Sequence, residues 1–354
     1  HNLTAQLDYV RLLHKLAQNN IQVFAVLGNH DPLEAWKAKI PFPPNVHVFP
    51  TDAVERVPLV VDGEEVAAIY GQSYAKSEQR DNLAWKFNRA AGDRFSIGML
   101  HTQVGSRDST YAPCTLEDLK ECGMDYWALG HIHKHEILCE KPYVVYAGNP
   151  QGLDCTETGP RGCYYVEVGP YGTTDLEFID TSIVRWESID LAIDGIESVS
   201  ELRESVRFAK EKVRRDIGKP TFLTVNFTGS GSMYHVLNNP EATQYWLESW
   251  REEEQGKYAF VMVERLRNLA RPKMNMDERS KLPDSVGDYL NVFDKLEKLA
   301  PEERVKALRD ILMSRPEFER LGAYGRALTD QRLLETFEKA KWLGVQKLLE
   351  HRRG

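Results

Sequence analysis

Asp125-Tyr126-Trp127-Ala128-Leu129-Gly130-His131-Ile132-His133 is the stretch on which the fold turns. Tyr126 to Leu129 is a short apolar run of the kind a buried strand uses, and Gly130 permits a sharp turn at its end. His131 and His133 follow with one residue between them, so in extended chain both imidazoles project to the same side. A core rarely wants two imidazoles together. A metal ion does.

The same pattern recurs upstream. Residues 21–27 are a near-continuous apolar run, suited to a parallel strand covered on both faces, and Gly28-Asn29-His30-Asp31-Pro32 follows at its carboxyl end. Residues 95–100 form another apolar run that ends on His101. Asn, Asp, Gly and Pro are ordinary turn formers, but open α/β sheets also place ligand sites at the carboxyl ends of their strands. Strands that each lead into a metal-capable side chain favour the second reading.

Around these lie more local signals. Leu3, Leu7, Val10, Leu13, Leu16 and Ala17 recur at helical spacing, which predicts an amphipathic first helix. Strands at 57–61 and 66–70, joined through Asp62-Gly63, read as a hairpin, and a helix is expected over about 78–91. Beyond the histidine pair, residues 135–139, 143–147, 162–168 and 173–179 read as strands separated by Gly/Pro turns. His135 continues the alternation, but it lies past the turn and is expected to be solvated or to support the site indirectly.

The second half changes character near residue 183. Strands at 184–193, 221–227 and 258–264 and helices at 199–215 and 241–254 predict a compact α+β unit without metal-type clusters. Arg271-Pro272-Lys273 reads as a linker, and residues 284–351 as amphipathic helices. Their apolar residues, Trp342, Leu343, Leu348 and Leu349 among them, suggest a surface for a partner. The expected domains are therefore 1–183, 184–270 and 271–354.

Composition is that of a globular chain: 354 residues, 42% hydrophobic and 28% charged. No apolar run approaches the ~20 residues of a membrane helix, so no membrane partner is expected. Five scattered cysteines with no C-x-x-C pair fit a reducing cytoplasm. The net charge of −8 excludes a global attraction to nucleic acid, so phosphate-rich partners need local patches or metal. Lys210 to Arg215 and Arg265 to Lys273 are the candidate basic patches. The chain starts at His1, directly ahead of a helix, and that start reads as cut.

Asn29, His101, His131 and His133 make a mixed nitrogen and oxygen set suited to borderline divalent ions. Two such ions clamp phosphate oxygens and assist both attack and departure. His30 is placed to give a proton to a leaving oxygen, with Asp31 orienting it.

Gly28-Asn29-His30-Asp31, Leu100-His101-Thr102 and Gly130-His131-Ile132-His133 resemble the later motifs of the calcineurin-like metallophosphoesterases. Tyr111-Ala112-Pro113-Cys114, Asp125 to Lys134, Ala147-Gly148-Asn149-Pro150-Gln151-Gly152 and Glu157-Thr158-Gly159-Pro160-Arg161-Gly162 resemble, more narrowly, the SbcD/YhaO-type DNA repair exonuclease subunits. The resemblance covers residues 1–187 strongly, and the α+β unit matches as the family's capping domain. It implies a two-sheet α/β sandwich, N-terminally truncated here, followed by that small α+β domain and a helical region. It implies two divalent metal ions, most often Mn2+, with Mg2+, iron or Zn2+ as alternatives. Asn29, His101 and His131 would ligate one and His133 the other, with His30 the catalytic histidine and Asp31 its support. It also implies DNA, as duplex ends or single strands, an SbcC-like coiled-coil ATPase as partner, and a homodimer.

The family further uses an Asp-x-His and a Gly-Asp-x-x-Asp motif, neither of which this sequence carries. Half a metal site is therefore expected. Hydrolysis of small phosphoesters or nucleotides, or a scaffold without catalysis, are the alternatives.

Overall fold

A computed structural model describes residues 3–32, 41–106, 108–273, 279–319 and 328–350. The chain divides into two compact units, His1–Trp186 and Glu187–Gly354. No helix among the described residues is long and apolar enough to cross a membrane.

The first unit opens with helix α1 (Leu3–Gln18) and strand β1 (Val23–Ala25), which pairs in parallel with β2 (Val46–Val48). Only part of the apolar run 21–27 stays in strand form. Leu27 leaves the pair instead, its N–H donating to the Ser73 hydroxyl at 3.1 Å and its carbonyl accepting from Tyr74 N–H at 2.8 Å.

The main sheet has six strands: β3 (Glu55–Val61), β4 (Glu64–Gln72), β5 (Ser96–His101), β6 (Tyr126–Gly130), β7 (Glu136–Glu140) and β8 (Tyr143–Tyr146). Their spatial order is β3-β4-β5-β6-β8-β7. The four inner strands run parallel, and each edge strand is antiparallel to its neighbour. The β3–β4 hairpin turns at Asp62 and Gly63, with φ of 51° and 83°, the left-handed pair that a two-residue hairpin requires. Pro58 is tolerated in β3 because that strand is an edge.

Alternation gives the sheet two apolar faces. Ala68, Leu100, Trp127, Leu129 and Val144 face Leu83, Ala84, Phe87 and Leu119, with helix α2 (Leu116–Glu121) on that side. Trp127 is fully buried, and its indole N–H donates to the Leu119 carbonyl at 3.0 Å. Gly98 makes room for it, since a Cβ there would lie 2.5 Å from the indole ring. On the other face Ala67, Phe95, Tyr126 and Val145 pack against Tyr164, Val166 and Leu176 from the hairpin β9 (Gly162–Val168) and β10 (Thr174–Asp180). The result is the mixed α/β sandwich that the motifs implied.

The helix expected over 78–91 does not form. A single 3-10 turn, Leu83–Lys86, stands there instead. Asn82 caps it, accepting from Ala84 N–H, while the Asn82 amide and the Trp85 indole both donate to Asp118. These polar anchors suit one turn, and Phe87 then goes extended into the core.

In the second unit β11 (Arg185–Ala192), which begins at the unit boundary, β12 (Thr221–Thr228) and β14 (Val261–Asn268) form a sheet in the order β11-β12-β14. Helix α3 (Val199–Ile217) starts at its Ser198 cap and stops at Gly218, φ 68°. Arg271–Pro272, β15, pairs with Ser230–Gly231, β13, so the segment read as a linker is anchored. Trp342, from the helix Asp330–Glu350, is buried in the same core as Leu223, Val225, Trp246 and Val263, and is no surplus apolar surface. Leu343 is half exposed.

The basic run at 210–215 divides: Lys212 and Arg215 are exposed, while Lys210 and Arg214 are drawn into ion pairs. Lys210 is 1% exposed and ion-paired with Glu254 at 2.9 Å, and Arg214 pairs with Glu254 at 2.9 Å. Neither side chain faces solvent as a nucleic-acid contact would.

Candidate metal centre

Parallel pairing of β5 with β6 sets His101 opposite Gly130, so His101 and His131 emerge from adjacent strand ends. Their ring centroids are 5.2 Å apart. Asn29 joins them from the loop after β1, its Oδ1 lying 2.7 Å from His101 Nε2. The approach depends on glycine. A Cβ at Gly28 would lie 2.3 Å from His101 Nδ1, and one at Gly130 3.1 Å from it.

His131 holds a φ of 110°, a conformation that residues with a Cβ rarely adopt. Its Nε2 lies 2.9 Å from Gln103 Oε1, and the Tyr111 ring packs on it at 4.6 Å. Tyr74 packs edge-on against His101 at 5.2 Å. Burial, followed by the neighbouring His131, His30 and His133, pushes the His101 imidazole down to about 4. Burial, His133 and His30 lower His131 as well. His101 is therefore neutral at neutral pH with a lone pair to give.

His133 is exposed, with Nδ1 2.5 Å from Glu157 Oε1. Burial works against ionisation of Glu157, but bonds from His133, Leu153 and Asn149 outweigh it and hold the carboxyl below its usual value. His30 and Asp31 lie on the exposed loop after Asn29. Of the two expectations for His135, solvated or indirectly supporting, the first does not hold: the ring is half-buried and stacks on Phe178 at 3.9 Å.

Asn29, His101 and His131 are thus in direct proximity, and His30 and His133 are electrostatically coupled to them. Among the described residues no three His, Cys, Asp or Glu side chains close around one point. The donors fit a divalent cation in kind, as neutral nitrogens and an amide oxygen, and would supply part of its coordination sphere. Gln103 went unread in the sequence. It continues the strand alternation from His101, and that periodicity was the signal available.

Comparison with known proteins agrees with this geometry. Residues 4–135 match the family model for calcineurin-like phosphoesterases, and residues 186–271 match the middle domain of the metallophosphoesterase YhaO. The chain is 33% identical over 279 residues to the metallophosphoesterase YhaO of Bacillus subtilis, a match spanning 78% of this chain and 68% of that protein. It is 24% identical over 242 residues to the DNA double-strand break repair protein Mre11 of Methanocaldococcus jannaschii, covering 60% of this chain and 61% of that protein. Proteins of this fold use divalent metals to hydrolyse phosphoesters, and the chain belongs to the calcineurin-like metallophosphoesterases, within the YhaO family.

Proposed function

We propose that the protein is a DNA-directed phosphodiesterase of the exonuclease or endonuclease type, working in DNA repair. The observation that carries this reading is the neutral, half-buried His101–His131 pair beside Asn29 at the ends of parallel strands. Similarity to an Mre11 repair protein supports the DNA substrate.

In this reading Asn29, His101, His131 and His133 hold divalent metal, Mn2+ first among the candidates. The bound ions supply Lewis acidity and phosphate clamping. His30 delivers a proton to the departing oxygen, and Asp31 keeps its imidazole oriented. Arg265 and Arg267, exposed along β14, remain DNA-contact candidates.

The test compares the chain alone with the chain preceded by a segment carrying Asp-x-His and Gly-Asp-x-x-Asp. Expected is manganese-dependent cleavage of linear duplex DNA by the extended protein, lost in His30→Asn. Cleavage of bis(p-nitrophenyl) phosphate with DNA left intact would overturn the substrate, and absence of metal binding in both proteins would overturn the site.

An SbcC-like ATPase is the proposed partner, docking on the helices Ser285–Glu297, Pro301–Met313 and Asp330–Glu350. Val292, Ile311, Met313 and Leu343 are exposed there. Because Trp342 belongs to the core, deleting this region would confound folding with docking. Ile311→Glu with Met313→Glu is the cleaner test, and undiminished co-purification with the ATPase would count against the surface.

A further inference from the structure

Two turns of the sequence, at 147–152 and 157–162, bring no ligand to the site, yet both close on His133. The Glu157 carboxylate accepts from Asn149 Nδ2 at 2.9 Å and Leu153 N–H at 2.8 Å on one oxygen, and meets His133 Nδ1 at 2.5 Å on the other. The His133 carbonyl accepts from Asn149 N–H at 3.0 Å and from the Arg161 guanidinium. Arg161 is 5% exposed, and its other arm donates to the Thr158 carbonyl. Gly148, φ 78°, lies so near that a Cβ would sit 2.7 Å from the His133 carbonyl oxygen. A side chain half open to water is thus gripped at backbone and ring by largely buried groups.

We infer that Glu157 is a positioning residue, which holds the His133 imidazole with its proton on Nδ1 and its lone pair on Nε2, while Arg161 and Asn149 fix the backbone from which that ring projects. The donor direction follows from the pattern around Glu157. A carboxylate already accepting two N–H groups has no proton to give, so the third partner is the donor. Such an outer carboxylate sets which nitrogen a histidine offers and raises its basicity. This rests on the reading of His133 as a metal ligand, but the tautomer itself does not need the metal.

The experiment is long-range 1H–15N NMR of the metal-free protein with labelled histidine, followed by Zn2+ titration by calorimetry. Wild type is expected to carry the His133 proton on Nδ1. Glu157→Ala is expected to move it toward Nε2–H, the form free imidazole favours, and to weaken Zn2+ binding by roughly 10–100-fold. Glu157→Gln keeps one acceptor oxygen but turns an amide nitrogen toward other donors and has no charge, so it is expected to recover only part of both. A wild-type His133 protonated on Nε2 overturns the inference even where a variant fails to fold. So does a folded Glu157→Ala with the tautomer unchanged. A changed tautomer with Zn2+ affinity untouched supports the clamp and removes His133 from the ligand set.

Discussion

Glu254 in the second unit and His101 in the first are both withdrawn from solvent, and they are stabilised in opposite ways. Lys210, Arg214, Lys257 and the Val261 N–H all lie within 3.1 Å of the Glu254 carboxylate. Burial alone would raise its pKa, but these partners bring it down to about 2. His101 meets like neighbours instead, and it stays in place by giving up its charge. The first cluster is closed, with positive and negative groups matched. The second is a set of neutral donors with spare lone pairs. A fold uses the closed kind to hold itself together and the open kind to hold something else.

The largest effect that could break this contrast is Glu254→Ala. It takes the nearest counter-charge from the buried Lys210, leaving Glu253 at 3.4 Å, and from Arg214, and should cost about 3–5 kcal/mol, read by urea denaturation. A loss below 1 kcal/mol would mean the cluster is solvated and the contrast false. Next, Mn2+ or Zn2+ at about a hundred times its Kd should stabilise the first unit by about 2.7 kcal/mol and leave the second unchanged. Peptide-resolved hydrogen exchange separates the two; equal protection in both units would argue for non-specific binding.

Acidification sharpens the same point. The folded His101 value of about 4 lies below the ordinary 6.5, so the unfolded chain takes up the proton first. Stability of the first unit should therefore fall as pH drops from about 6.5 to about 4. Glu254, lowered from 4.5 to about 2, contributes stability that is full above 4.5 and lost only as pH falls through 2. Between pH 6.5 and 4.5 the first unit should loosen while the second holds, again by hydrogen exchange. The smallest effect is His133→Ala without metal: the ring itself is exposed, but the Glu157 carboxylate loses one of its three partners, so a cost of about 1 kcal/mol is expected by urea denaturation.

Strands were legible where apolar residues ran unbroken, because burial of a central strand leaves few other choices. Val46–Val48 was missed: it is three residues long, and its partner β1 is remote in sequence. The false helix at 78–91 rested on a stretch of mixed polarity, but Asp118, some thirty residues on, takes the Asn82 and Trp85 donors and decides the outcome. Lys210 was readable in hindsight. It falls on the same i, i+4 stripe as Leu202 and Val206, so its helix face was the core face and its charge had to be paired. Of the site, the candidate ligands were visible in the motifs and Gln103 only in its alternation with His101, whereas Glu157 acts across a loop whose closure no local pattern announces.

The backbone at His131 has a consequence for anyone improving this protein. Glycine would occupy a φ of 110° at ease, and the imidazole holds it at a cost of order 1–3 kcal/mol. A library screened for heat resistance alone would thus be drawn toward His131→Gly and would discard a predicted ligand as a defect. Selection for robustness and selection for the proposed chemistry would pull on this one residue in opposite directions.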